Sequence, residues 1–194
     1  GVVDGPTISQ KMEEQARNWG AEILFGRVLG ITGSPDEGFT LEMDGQDPIK
    51  ARTIIVASGS HPRKLGVPGE EEFLGRGVSY CATCDGAFFR NKRVVVVGGG
   101  DSALEEGHFL TRYASEVLVV HRRDQFRASP YLVERAERSG MKFILDSVVE
   151  EIKGSQSVSE VVVRNVKTNK VRSIQADGVF VYIGMVPNTD FLSG

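Results

Sequence analysis

The sequence predicts an α/β protein: a parallel sheet packed with helices, joined to a β-meander. Three observations carry this. After Arg93, apolar runs and helical segments alternate as RVVVV (93–97), a helix at 101–113, EVLVV (116–120), a helix after Ser129-Pro130 closed by Gly140, and KFILD (142–146). That is the βαβαβ order of a parallel sheet covered by helices. The runs at 94–97 and 117–120 are apolar without alternation, as expected of strands buried on both faces. Glycine supplies 23 of 194 residues, well above the usual share of about 7%, which suits tight turns or close backbone approach to a ligand.

The elements follow in order. Residues 7–19 read as an amphipathic helix with Ile8, Met12, Ala16 and Trp19 on one face, a Thr7-x-x-Gln10 capping box and Gly20 as its stop. The runs 22–31, 39–43 and 53–60 read as strands of a meander, the last of them buried. Residues 61–77, rich in Pro and Gly and without period, are the best linker, with a domain boundary near 61–64. Beyond the βαβαβ unit, VVVRNV and VRSIQA form a hairpin around residues 167–170, and GVFVYIG at 178–184 reads as a further strand.

Composition excludes several classes. Hydrophobic residues at 40% and charged residues at 25% exclude a chiefly disordered chain. A net charge of −3 gives no overall basic field, so neither nucleic acid nor an acidic membrane is expected as partner. No apolar run reaches the roughly 18 residues of a spanning helix, and GVVDGPTISQ lacks the pattern of a signal peptide; a cytoplasmic location is the expectation. Two cysteines are too few for a secreted disulfide scaffold.

Gly98-Gly99-Gly100-Asp101-Ser102-Ala103 fits G-x-G-x-x-G/A directly after a strand and at the opening of a helix, the context of a Rossmann-like dinucleotide site. Gly98 permits the turn, Gly100 lets the backbone approach a pyrophosphate, and Ala103 lets the helix pack close to the strand. The alternative is a glycine-rich turn without ligand. At the end of the next strand stand His121, Arg122 and Arg123, with Arg127 four residues on. Guanidinium groups suit a 2′-phosphate, so the cluster argues for NADPH, with Asp124 as the one reservation. A solvated basic surface is the competing reading.

Cys81-Ala82-Thr83-Cys84 has the spacing of a redox dithiol. A zinc site lacks a second ligand pair, and two structural thiols remain the alternative. Asp85 is a candidate proton donor or acceptor for thiol–disulfide exchange, or simply a turn residue before Gly86. No metal site is expected, and His108 is given no role.

CATCDG (81–86), VVVVGGGDSALEE (94–106), HRRDQFRAS (121–129) and IGMVPNT (183–189), in this order, resemble the bacterial-type, low-molecular-weight thioredoxin reductases. The resemblance implies electron flow from NADPH through FAD and the Cys81/Cys84 disulfide to thioredoxin. Cys84 would then face the flavin, Cys81 would attack thioredoxin and Asp85 would serve as acid–base residue. Gly98, Gly100, Ser102 and Ala103 would hold the pyrophosphate, with Gly99 and Asp101 in the same turn. His121, Arg122, Arg123 and Arg127 would surround the 2′-phosphate, Ile183 and Gly184 would lie near the nicotinamide, and Ala57-Ser58-Gly59 beside FAD. A homodimer is implied for the parent protein.

The sequence lacks the family's first G-x-G-x-x-G and its C-terminal Gly-Asp motif for FAD. The expectation is therefore a fragment: 1–62 part of a FAD domain, 63–184 the NADPH and C-x-x-C domain, 185–194 a return into the FAD domain, with apolar surface uncovered in 1–62. FAD binding by the chain itself is then in doubt. An NADPH-binding module without turnover, and a reductase serving a peroxidase, are the alternatives.

Overall fold

The computed structural model describes residues 3–192. Two compact units form, one from residues up to 58 together with those from 188 on, the other from residues 59–187.

In the first unit, helix α1 (Gly5–Asn18) is capped by Asp4, whose side chain accepts the Thr7 N–H at 2.8 Å. Pro6 in the first turn presets φ for a start two residues ahead of Thr7. The expected Thr7–Gln10 capping box is thereby corrected, and Gln10 bonds Glu14 one turn on instead. Strands β1 (Val28–Ser34), β2 (Gly38–Met43) and β3 (Ile49–Ala51) form an antiparallel meander. The expected buried strand at 53–60 is not there: residues 53–59 lie outside any strand and Ile55 is 94% exposed. An apolar run becomes a strand only where a neighbour supplies ladder partners, and among the described residues none pairs with it. Trp19 and Phe25 are also largely exposed, so the apolar surface expected to be uncovered in this unit is so.

The second unit contains β4 (Ser60–Pro62), β5 (Val78–Ser79), α2 (Ala82–Asp85), β6 (Arg93–Gly98), α3 (Asp101–Leu110), β7 (Glu116–Val120), α4 (Pro130–Arg138), β8 (Lys142–Ile144), β9 (Ser147–Gly154), β10 (Val158–Asn165), β11 (Val171–Gln175), β12 (Gly178–Tyr182) and β13 (Met185–Pro187). The central sheet is parallel, in the order β5-β12-β6-β7-β8. Its valines point alternately to two cores. Val94 and Val96 meet Leu104, Leu110 and Ala136 of α3 and α4, while Val95 and Val97 meet Val149, Ile152 and Val161 of the meander β9-β10-β11. Burying each such side chain contributes about 1.5–3 kcal/mol. Helices therefore cover one face only. The meander covers the other face, so the strands are buried on both faces, as the unbroken apolar runs imply.

The stretch 61–77 is not a loose linker. Phe73 enters the core and Glu70 is 1% exposed. The Glu70 carboxylate accepts the N–H groups of Leu65 and Gly66 and the Tyr80 hydroxyl, each at 2.8 Å. A buried charge is tolerated when donors surround it, and these three tie the segment to the approach of the dithiol. Hydrogen bonding to Glu70 and partial burial both raise the Tyr80 pKa, burial contributing most.

Candidate active site

The chain runs outward from β6 to β7 and β8, then returns through the meander to place β12 on the other side of β6. That reversal is a topological switch point, where open α/β sheets bind ligands beyond the carboxyl ends of their strands. Gly98 of β6 and Tyr182 of β12 are register partners at this edge. Ser79, ending β5 beside β12, leads into Cys81 at the same edge.

The glycines of the turn differ in what they require. Gly98 has φ +150°, and a Cβ there would stand 2.3 Å from the Tyr182 carbonyl oxygen. At Gly99 a Cβ would stand 2.2 Å from His121 Nδ1, whereas at Gly100 it would meet nothing within 4 Å. Space is thus open on the side from which a pyrophosphate would come. Gly100 caps α3 without a side-chain hydrogen bond, leaving N–H groups and the positive end of a ten-residue helix for an anion. Ser102 and Asp101 are exposed there, and Ala103 is fully buried against β6.

The loop after β7 is fastened to this turn. Gly99 O accepts the N–H of Arg127 at 2.7 Å and of Ala128 at 3.2 Å, and Asp101 Oδ1 accepts that of Ser129 at 2.8 Å. Arg122, Arg123 and Arg127 are exposed. His121 is not part of the charged rim: it is 7% exposed, stacks on Phe126 and lies 3.0 Å from the Gln125 carbonyl oxygen. Burial, with Arg122 and Arg123 nearby, lowers its pKa despite the Gln125 carbonyl. Its ring stands as a wall behind Gly99, while the three arginines are exposed. The open turn and its free N–H groups could hold the pyrophosphate of a dinucleotide.

At the dithiol, Cys81 and Cys84 form a disulfide. Cys81 is half-buried and Cys84 exposed. Cys81 Sγ accepts the Cys84 N–H at 3.2 Å. The buried Ser79 hydroxyl donates to Asp85 Oδ2 at 2.6 Å and accepts the Cys81 N–H at 3.0 Å. Behind them a cleft of about 250 Å³ is lined by Ser79, Asp85, Phe88, Arg76 and Lys92 among others. From β12, the Tyr182 hydroxyl oxygen accepts the Ala82 N–H at 2.8 Å, so the strand bordering the nucleotide turn also holds the start of the dithiol helix. Burial foremost, with Glu106 nearby, raises the Tyr182 pKa, keeping this phenol protonated. Ile183 packs on the meander-side core, and Gly184, at φ +115°, accepts the Arg63 N–H at 2.9 Å.

Sequence reasoning missed Ser79, Glu70 and Tyr182. Only Ser79, a hydroxyl two residues before the first cysteine, offered a local signal. In the other unit, Ala57 and Ser58 are exposed, with Ser58 O accepting from Asn188 at 3.1 Å; Gly59, which opens the second unit at φ +71°, is also exposed. No second glycine-rich strand–turn–helix occurs among the described residues.

A C-x-x-C disulfide and a glycine-rich turn at one edge of one parallel sheet are the arrangement that marks the class of pyridine-nucleotide-linked disulfide oxidoreductases. The family model described as pyridine nucleotide-disulphide oxidoreductase matches residues 4–194, and the chain belongs to that family. It is 47% identical to a thioredoxin reductase of Listeria innocua over 97% of this chain and 60% of that protein. It is 45% identical to one of Bacillus subtilis over 94% of this chain and 58% of that protein. The crystal structure of Lactococcus lactis thioredoxin reductase, in its FR conformation, matches with a TM-score of 0.83 and 44% identity over 97% of this chain and 62% of that one. The resemblance drawn from the motifs is thereby borne out. The chain spans about 60% of the length of these relatives. Among the described residues no helix is long and apolar enough to cross a membrane.

Proposed function

We propose that the chain supplies the NADPH-binding and dithiol parts of a cytoplasmic, FAD-dependent reductase of the thioredoxin disulfide. The observation that carries this is the placement of the Cys81–Cys84 disulfide and the Gly98–Ala103 turn on one sheet edge, with Tyr182 of β12 beside both. The relatives' names support the substrate. In this reading residues 63–184 are the NADPH and dithiol domain, and residues 1–62 and 185–194 belong with the flavin domain of a homodimer.

The main-chain N–H groups of Asp101, Ser102 and Ala103 would receive the pyrophosphate, Arg122, Arg123 and Arg127 the 2′-phosphate, and Ile183–Gly184 would border the nicotinamide. Bound FAD supplies the relay between the nicotinamide hydride and the disulfide. The chain's own thiols do the rest. The Cys81 thiolate attacks one sulfur of the partner disulfide, the partner's other sulfur leaves, and Cys84 then attacks Cys81 to restore the chain's disulfide. Two electrons and two protons pass to the partner. The Cys84 N–H directed at Cys81 Sγ stabilises the thiolate, and Asp85, fixed by Ser79, carries protons to and from the exchanging sulfurs.

The test is the visible absorption spectrum of the chain, as purified and after FAD is added, together with NADPH consumption in the presence of oxidised thioredoxin. A flavin band with thioredoxin-dependent consumption supports turnover on this chain. NADPH binding without a flavin band supports the narrower reading, an NADPH-binding dithiol module. Failure to bind NADPH contradicts both.

A further inference from the structure

We propose that Lys167 sets the preference of the nucleotide site for a 2′-phosphate by neutralising Asp124 in the loop that reads it. The inference rests on the NADPH reading above. A carboxylate at the end of the second strand is the group that accepts a ribose 2′-hydroxyl, and it repels a phosphate dianion. Asp124 lies four residues beyond that strand's end, between Arg123 and Arg127, and it is engaged elsewhere. Its Oδ2 lies 3.2 Å from Lys167 Nζ, which also lies 3.0 Å from Asp146 Oδ1. The Lys167 hydrogen bond, foremost, lowers the Asp124 pKa, so the carboxylate is charged and its charge is answered by the lysine.

The lysine is delivered from a distant part of the chain by a built turn. It lies in the β10–β11 hairpin, where Asn165 Oδ1 accepts the N–H groups of Lys167 and Thr168 and the Thr168 hydroxyl. The neighbouring Val166 N–H donates to Asp146 O at 2.6 Å, the Asp146 N–H to Arg123 O at 3.1 Å, and the Ser147 N–H to His121 O at 2.9 Å. Hairpin, β8–β9 corner and nucleotide loop are therefore one hydrogen-bonded assembly. As an exposed pair, Lys167–Asp124 adds little to stability. Its consequence is the charge seen by a ligand: without the lysine, Asp124 and Asp146 lose the cation bonded to both, and the assembly carries one positive charge fewer.

The test compares binding of adenosine 2′,5′-bisphosphate and adenosine 5′-monophosphate, which differ only in the 2′-phosphate, by calorimetry on the whole chain at low salt. Wild type should prefer the bisphosphate. K167M should lose about fivefold of that preference, the size of effect a unit charge has on a nearby dianion through water, with monophosphate affinity unchanged. D124N should keep or raise the preference, and K167M/D124N should recover most of what K167M loses. An undiminished preference in K167M overturns the proposal, as does a double variant no better than K167M, which would make the lysine a direct phosphate ligand. Wild type without any preference overturns the NADPH reading itself. Matching circular dichroism and melting temperatures for the variants separate these outcomes from misfolding.

Discussion

Replacing Gly99 with alanine tests whether the nucleotide turn and the loop after β7 form one packed unit. The new Cβ would lie 2.2, 2.3 and 2.6 Å from three atoms of the His121 ring. That ring cannot swing clear, because it is 7% exposed, stacked on Phe126 and held near the Gln125 carbonyl. Overpacking of this kind costs about 1–3 kcal/mol. In a chain of this size 2 kcal/mol lowers the melting temperature by about 4–8 °C. NADPH affinity should fall too, since Gly99 O is the acceptor for Arg127 and Ala128. H121A alone loses packing and the Gln125 contact, but in G99A/H121A the alanine Cβ occupies space the imidazole left. The double variant should therefore melt above the sum of the two losses, with a coupling of about 1–2 kcal/mol. Additive losses, or a G99A variant that melts and binds NADPH like wild type, would refute the packing argument.

Further expectations concern other parts of the unit. E70A leaves the Leu65 and Gly66 N–H groups and the Tyr80 hydroxyl without their acceptor and should cost about 3–5 kcal/mol in denaturant unfolding; a loss below about 1 kcal/mol would contradict the assigned bonds. S79A frees Asp85 and should slow exchange of the reduced dithiol with thioredoxin disulfide about tenfold and alter its pH profile, against about a hundredfold for D85N; an unchanged rate and profile would remove Ser79 from the mechanism. Burial lowers the pKa of both His121 and His108, so between their folded values and about 6.5 the unfolded chain binds more protons. Stability should therefore fall as pH drops through that window, and a melting temperature that is flat or rising from pH 7.5 to 5.5 would contradict the burial of these rings.

What could be read from the sequence was what is local. Strands at 93–97 and 116–120, the helix opening at Asp101 and the hairpin around 167–170 follow from unbroken valine runs, a glycine turn and a polar tetrapeptide, each acting within a few residues. The meander strand 147–154 was not recognised, because its alternation is weak and its burial depends on packing across the central sheet. Residues 53–59 were misread for the opposite reason: apolar sequence announced a strand whose partners it could not name. Glu70 was hidden in a Gly- and Glu-rich stretch that reads as linker until three donors converge on it. Asp101, Arg122, Arg123 and Arg127 are legible as candidate site residues from their place in the sequence, but the burial of His121 behind Gly99 and the pairing of Asp124 with Lys167 are products of tertiary structure that no local pattern carries.

The tie from Tyr182 to Ala82 means that neither half of the site is mechanically independent of the strand between them. Loss of the hydroxyl in Y182F should leave nucleotide binding intact and loosen the dithiol helix, seen as faster amide exchange at Ala82; unchanged exchange there would show that the bond does not restrain the helix.

The dithiol unit, in the reading proposed above, is built to take NADPH. Calorimetric titration of the oxidised chain with NADPH and, in parallel, NADH tests it most directly. One site with NADPH favoured by about tenfold or more is expected from charge-assisted bonds to a 2′-phosphate; equal affinities, or no binding of either, would contradict it.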